Sequence, residues 1–487
     1  MNEFEFFLRQ NKEIGYIHSF FHSIAFVSGL PGLTIDEMVI TESGKKGIVH
    51  RLKEDLGEIL MIDTENLKIG EKVARTGKAF EIPVGPGLLG RIINPLSQPL
   101  DFNEPIFGEK EFREIKKDAP SFKERVRINK NLETGVIVVD LLVPIGYGQK
   151  ELVIGDSKTG KTTFLLQTIV SQAQKGVICV YTGIGKKDDD IKLIEEYLKK
   201  QNVFEKTVIV HTAPDDSAVL NFLAPFTGMN IAEYFRDRGE NVLLVLDDLT
   251  THAKFYREIS LLLKKMPARE CYPGDIFYIQ ASLLERAGNI RKNDKEVSIT
   301  VLPVAETLEN NISGFIQTNL MAMTDGHIFF DINEFRKGKR PAINTFYSVS
   351  RVGNQTKSPI ERDLAIIIRK KMAEYQRALE ISYFGTELSK ETQELIEFGK
   401  RIELLFNQEP QQIIPRELQL VLIGLLFSNF WKEKSLNKMK IEIDKIFENY
   451  KKNKIPKLGE KIEDIKNISH LNFLIKSLLP EIEKILY

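Results

Sequence analysis

The sequence predicts a multi-domain α/β protein, with short β-rich runs first, then a parallel sheet with flanking helices built around a phosphate loop, then a helical region. Three observations carry this. An apolar strand, a glycine-bounded loop and a helical pattern follow one another over residues 151–170. Behind them, apolar runs and helical patterns alternate, which is the mark of crossover units on a parallel sheet. Past residue 358, apolar positions recur at helical spacing between Pro, Gly and Asn breaks.

Taken in order, residues from about 14 to 78 hold the runs HSIAFVSGL, EMVITESG, KKGIVHRL, EILMID and KIGEKVARTG. This spacing predicts a small barrel or sandwich. No catalytic cluster is found there, and His18, His22 and His50 read as surface or packing histidines. The preceding MNEFEFFLRQNKE puts Phe4, Phe7 and Leu8 on one face of a short helix, although a helix of that length is marginal alone. From Phe80 to Asp140 the chain is loop-rich (PVGPGLLG, INPLSQPLD), and the apolar run 136–143 leads into the phosphate loop.

GDSKTGKT fits G-x-x-x-x-G-K-[ST], and each fixed position has a task at a polyphosphate. Gly155 and Gly160 permit backbone angles and close approaches that a β-carbon forbids, so successive N–H groups can form one anion-binding concavity. Lys161 brings charge to the terminal phosphates, Thr162 offers a hydroxyl to Mg²⁺, and the helix starting there aims its positive end at the phosphate. The alternation after the loop runs VICVYTGIG then DDDIKLIEEYLKK, TVIVHTA then SAVLNFLAPFTGMNIAEYFRDRG, and NVLLVLDD then HAKFYREISLLLKK. Ligands of such sheets sit at the carboxyl ends of the strands. NVLLVLDD delivers Asp247 to that edge, where it can hold Mg²⁺ through water.

Composition narrows the class. Lys+Arg and Asp+Glu number 68 each, so the net charge is zero, which argues against a nucleic-acid partner held by a strong basic field. Cys179 and Cys271 show no paired metal-ligand spacing; the chain reads as reduced and cytoplasmic, with each cysteine a small buried hydrophobe. Glu3, Glu5, Arg9, Lys12 and Glu13 are mixed into the opening residues, so no secretory signal is expected. The most apolar stretch, LQLVLIGLLFSNFW at 418–431, is shorter than the roughly 20 residues of a membrane helix and predicts a buried one. The other helices are expected over 362–380, 390–406, 435–449 and 471–486, with the lysine runs 451–454 and 457–461 as solvated linker.

From about Ile14 to Trp431 the chain resembles the α-subunit of the rotary F-type ATP synthase/ATPase head. The likeness lies in APFTGMNIAEYFRDRGENVLLVLDDLT, YREISLLLKKMPARECYPGDIFY, LLERAGNI, TDGHIFF and RPAINTFYSVSRVG. It implies an N-terminal β-barrel (1–78), a RecA-like nucleotide-binding domain (79–357) and a C-terminal helical bundle (358–487). It also implies an alternating three-plus-three hexamer with a catalytic β-type partner around a γ-type central shaft. A stator and membrane sector would be reached indirectly, placing the complex on the cytoplasmic face of the membrane. Carried over by motif position, Gly155, Lys158, Thr159, Gly160, Lys161, Thr162 and Thr163 contact ATP or ADP, Thr162 and Asp247 serve Mg²⁺, and Gln408 and Gln411 of NQEPQQ meet the adenine.

The resemblance assigns two further residues. Arg351 in SVSRVG is the arginine that reaches across the subunit boundary to the partner's γ-phosphate. Lys186 in TGIGKK stands where the catalytic subunit keeps a water-orienting glutamate and α-subunits usually have glutamine. A charged lysine only donates hydrogen bonds and cannot take the water's proton, so the site is expected to hold MgATP without efficient turnover. Asp188 or Asp189 is the alternative base, although the DDD run fits better as the start of a helix. The short leader before Ile14 implies a stator contact that is reduced, replaced or absent. With the divergent C-terminus past Leu436, it points to a specialised relative like the F-type-like ATPases of wall-less bacteria, some tied to gliding motility. Two rivals are the catalytic subunit of such a motor and a hexameric RecA-like helicase or termination factor. Against the second stands the lack of interleaved aromatic and basic residues.

Overall fold

The computed structural model describes residues 2–101, 105–106, 108–383, 389–452 and 464–486. The chain divides into two compact units, one of residues 1–126, 176–306 and 312–324, the other of 127–175, 307–311 and 325–487.

The first unit opens with six strands, β1 (Gly15–Phe21), β2 (Ile24–Ser28), β3 (Glu37–Thr41), β4 (Lys46–Leu52), β5 (Gly57–Met61) and β6 (Lys72–Ala79). They form a closed barrel in the order β1-β2-β5-β4-β3-β6. Pairing of Gly15 with Val73 and Tyr16 with Lys72 closes it, which decides for a barrel over a sandwich. Side chains on alternate positions, among them Ile17, Val27, Val39, Val49, Ile59 and Val73, fill its interior.

The leader is the helix Glu3–Asn11, capped by the Asn2 side chain, which accepts from the Phe4 N–H at 3.2 Å. Phe4 is buried against Ile40 and Ala74 of the barrel, with Phe7 and Leu8 beside it, and Asn11 Nδ2 donates to the Arg75 carbonyl at 2.8 Å. Packing of the predicted face thus holds a helix too short to stand alone.

The same unit carries a parallel sheet whose strands run in the order Lys295–Thr307, Val242–Asp247, Ile178–Gly183, Thr207–His211 and Arg91–Ile93. Gly288–Lys292 adds to it antiparallel. The central strands are buried on both faces, as their unbroken Val, Ile and Leu runs require. Between them lie the helices Asp188–Lys200, Ala218–Arg236 and Leu249–Leu262. Asp188, Asp189 and Asp190 occupy the first turn of their helix, opposite Lys199 and Lys200 in its last, which suits the helix dipole at both ends. The loop-rich stretch before the phosphate loop yields more structure than its Pro and Gly content foretells: the edge strand Arg91–Ile93, and Glu81–Val84 paired with Glu111–Glu114.

In the second unit, Glu151–Asp156 runs parallel to Gly326–Phe330, and Val349–Ser350 pairs antiparallel with the latter. The apolar run before the loop is a fully buried helix, Ile137–Leu142. The C-terminal helices are Pro359–Tyr383, Lys390–Phe406, Arg416–Phe427, Leu436–Lys451 and Ile468–Leu486. Arg416–Phe427 is buried from Leu418 to Leu426, and Gln419 is the one polar side chain in that span. No described helix is long and apolar enough to cross a membrane. Of the two lysine runs, Lys454 and residues 457–461 lie outside the described residues.

One expectation is corrected. Cys179 is buried in its strand, but Cys271 is exposed, in a one-turn segment with left-handed backbone at Glu270 and Cys271.

Candidate functional site

In the second unit, the strand Glu151–Asp156 turns through the loop into the helix Lys161–Ala173. Its two glycines are required for different reasons. A β-carbon on Gly155 would come within 2.3 Å of the Phe330 carbonyl oxygen, whereas Gly160 faces open space but holds φ at 100° as the helix N-cap. Lys158 also adopts a left-handed backbone, at φ 61°. Lys161 is buried, and its Nζ donates to the Gly155 carbonyl at 2.8 Å and the Asp156 carbonyl at 2.7 Å, which fixes the ammonium within the turn of the loop. Thr159, also buried, donates its hydroxyl to the Asp156 carbonyl at 2.7 Å. Ser157, Lys158 and Thr162 are exposed, and Gly160 and Thr163 half-buried, so this part of the loop reaches the surface.

Sequence reasoning missed what fastens this loop. Asp156 occupies a variable position of the motif, yet its carboxylate accepts from the Thr307 hydroxyl and from the Asn310 N–H at 3.0 Å. Asn310 in turn donates to Asp331 at 2.7 Å, and Asn344 to the other oxygen of Asp331 at 3.0 Å. Residues 151 positions apart make the contact, so no local pattern could have signalled it.

In the first unit, Lys186 and Asp247 come together at the carboxyl edge of the sheet. Lys186 Nζ lies 2.7 Å from Asp247 Oδ1 and 3.7 Å from Asp248 Oδ2. The other oxygen of Asp247 accepts from the Tyr181 hydroxyl at 2.7 Å. A phenol in an otherwise apolar buried strand was the available signal for Tyr181. Burial by itself would lower the Lys186 pKa, but the Asp247 and Asp248 carboxylates, with Glu306 behind them, outweigh it and hold the ammonium above its ordinary range. Burial, with Asp247 adding to it, pushes the Tyr181 hydroxyl well up. Burial also raises Asp248 despite the opposing Lys186; this residue caps the helix Leu249–Leu262, accepting from the Thr251 N–H at 2.6 Å. The loop between is pinned by Ile184 N–H to the Asp247 carbonyl (2.8 Å) and Lys186 N–H to the Thr212 carbonyl (2.9 Å). Of the alternative bases, Asp188 pairs with His211 Nε2 at 2.8 Å and Asp189 is exposed.

Arg351 follows the strand Val349–Ser350 in the second unit. Its N–H donates to the Asp325 carbonyl at 3.0 Å, and the neighbouring Ser350 hydroxyl donates to the Pro144 carbonyl at 2.7 Å, so the backbone there is anchored. Its side chain is exposed and forms no ion pair or hydrogen bond among the described residues, unlike a structural strand-end arginine. Gln408 is buried: its Nε2 donates to the Gly135 carbonyl at 2.7 Å and its Oε1 accepts from the Ile137 N–H at 3.2 Å. Gln411 is exposed.

Residues 135–350 match the model of the ATP synthase alpha/beta family, nucleotide-binding domain, and residues 355–479 that of the ATP synthase alpha/beta chain, C terminal domain. The ATP synthase subunit alpha of Dictyoglomus turgidum is 43% identical over 428 residues, covering 88% of this chain and 84% of that protein. The chain belongs to the alpha-subunit branch of the ATP synthase alpha/beta family. The corresponding subunit of Carsonella ruddii is 40% identical over 473 residues, 95% of this chain and 97% of that one, and that of Aquifex aeolicus is 40% identical over 414 residues, 85% and 82%. The matched domain is a nucleotide-binding one, and the phosphate loop at 155–162 lies within it.

The magnesium ion that the resemblance implies can be weighed against the residues present. Thr162, exposed at the helix start, suits it. Asp247 does not: one oxygen takes an ammonium and the other a hydroxyl, and the residue is 3% exposed. A divalent cation resting on that carboxylate through water would have to share it with Lys186, and like charges repel.

Proposed function

We propose that the chain is the non-catalytic, nucleotide-binding α-type subunit of a rotary F-type ATPase, organised as barrel (1–78), nucleotide-binding domain (79–357) and helical bundle (358–487). Its partners are a catalytic β-type subunit in an alternating three-plus-three ring and a γ-type shaft, with the assembly peripheral to the membrane. ATP or ADP is held on residues 155–163, and Mg²⁺, when present, meets the Thr162 hydroxyl. Arg351 reaches the partner's γ-phosphate, where a guanidinium donates to two oxygens at once and stabilises charge spread over the transferring group. An exposed side chain on an anchored backbone, with no ion pair among the described residues, is what such a role needs.

The observation that carries the non-catalytic reading is Lys186 on Asp247 at 2.7 Å. An ammonium held charged by two buried carboxylates has no lone pair for a water proton, so the position that would activate the nucleophile is chemically silent. Phosphate release by the purified chain tests this. Turnover is expected only when the β-type partner is present. Rapid release by the chain alone, lost in Lys161→Ala, would overturn the reading.

A further inference from the structure

We propose that the groove between the β1–β2 hairpin of the barrel and the helix Leu249–Leu262 is a docking surface for an acidic segment of a partner subunit that carries bulky apolar side chains. The groove is a cavity of about 1190 Å³, and both of its walls belong to the first unit. The inference rests on the assembly reading above and adds to it the surface used and the chemistry of what that surface meets. Nucleotide binding plays no part in it.

The walls are apolar yet open to water. Phe20 and Phe21 line the groove from the end of β1 and Phe26 from β2, while Phe255, Leu261 and Leu262 line it from the helix. Phe21 is 57% exposed and Leu261 54%, although the strand and the helix that carry them bury Ile17 and Ile259. Bulky apolar side chains kept together at the surface mark a contact with another molecule. The space exceeds the roughly 300–1,000 Å³ of an ordinary small-molecule pocket, so it suits several side chains of one segment better than a single small ligand.

Charge decides the kind of segment. Arg51, Lys254 and Lys264 line the groove without a carboxylate partner among the described residues, and the Arg257 guanidinium lies 4.8 Å from the Tyr272 ring centre, again without one. Lys53 is the exception, taken by the buried Glu58. Glu258 is the one acid among the described lining residues. Lys254, Arg257 and Leu261 follow one another at spacings of three and four, which puts two cations and an apolar side chain on one stripe of the helix. Like charges crowded on an apolar wall repel, and an anionic partner relieves that cost while it steers the encounter. Single-stranded nucleic acid also pairs rings with cations. Leu261 and Leu262 offer no flat ring for a base, however, and Glu258 would repel a phosphate backbone, so an acidic polypeptide fits better.

The test is zero-length cross-linking of the complex purified through this chain, with a water-soluble carbodiimide that joins an ammonium only to a carboxylate in direct contact. Lys254 or Lys264 is expected to form an amide with an Asp or Glu of another subunit, in a segment of net negative charge that holds an aromatic or branched aliphatic residue. Lys254→Glu with Lys264→Glu is expected to lower the affinity for that subunit by at least about tenfold, whereas Lys254→Arg with Lys264→Arg keeps the affinity and loses the cross-link. Both positions are exposed, and unchanged thermal unfolding shows that the variants fold. A folded charge-reversed variant with the natural affinity overturns the proposal, as does a complex in which other lysines of this chain cross-link to partners while Lys254 and Lys264 do not. Binding of a fluorescein-labelled oligothymidine of about 20 nucleotides by the natural chain at physiological salt, lost on charge reversal, overturns it in favour of nucleic acid. If the chain purifies with no companion subunit, the assembly reading itself fails and takes this inference with it.

Discussion

Arg286 and Glu233 meet in the dry interior of the first unit, Nη2 donating to Oε2 at 2.8 Å and Nε to Oε1 at 3.1 Å. The side chains are 2% and 1% exposed. The same guanidinium also donates to Asn230 Oδ1 at 2.9 Å and to the Ile115 carbonyl at 3.1 Å, so it ties the end of the helix Ile276–Glu285 to the helix Ala218–Arg236.

Removing one partner strands the other as an unpaired buried charge. Arg286→Ala is therefore expected to destabilise the chain by about 3–5 kcal/mol, read as a lower urea midpoint. The double change Arg286→Met with Glu233→Leu is expected to recover most of that loss. Equal damage from the single and double variants would mean that packing, not the stranded charge, sets the cost.

Arg351 is expected to matter only in the assembled complex. Arg351→Ala should cut ATPase turnover by roughly 10³ to 10⁵ while nucleotide bound to this chain stays unchanged in amount. Turnover at the natural rate in that variant would remove the finger assignment.

Lys161 is held by two carbonyls of its own loop, and under the proposed function it brings charge to the terminal phosphates. Lys161→Ala is expected to weaken ATP binding by more than about tenfold, the scale of a charge-assisted contact, with little change in thermal unfolding. Isothermal titration with calorimetric unfolding separates the two effects. Unaltered affinity would take the loop out of nucleotide recognition.

His252 gives an acid-side signature. Burial lowers its pKa from 6.5 to about 4; its Nε2 lies 3.2 Å from the Phe222 carbonyl and its ring stacks on Phe222. Between about pH 6.5 and 4 the unfolded chain takes up a proton that the folded chain refuses, so stability is present above the unfolded value and is lost as pH falls through this window. The loss is on the order of 3 kcal/mol. Chemical unfolding of the natural chain and His252→Gln at neutral pH and near pH 4.5 checks it, with a flatter dependence expected for the variant.

The strands, helices and phosphate loop were legible because each depends on near neighbours. Periodicity marked Asp188–Lys200 and Lys390–Phe406 at their actual bounds. The edge strand Arg91–Ile93 stayed hidden, since pairing with Thr207–His211, and not its own composition, makes it a strand. At the site, the identities of Lys161, Lys186 and Asp247 were readable, but their settings were not. That Tyr181 and Lys186 would take both oxygens of Asp247, and that Thr307 and Asn310 would hold Asp156, depends on side chains brought together from distant segments. Cys271 was misread because cysteine is usually buried, while the left-handed turn that lifts it outward has no local signature.

That same turn makes the isolated chain unusually easy to decorate. Of its two thiols, Cys179 is enclosed in the sheet with its acidity suppressed by burial, so a maleimide dye or spin probe offered to the folded protein has one attachment point, Cys271. A fluorophore could be placed at a known position without engineering the sequence.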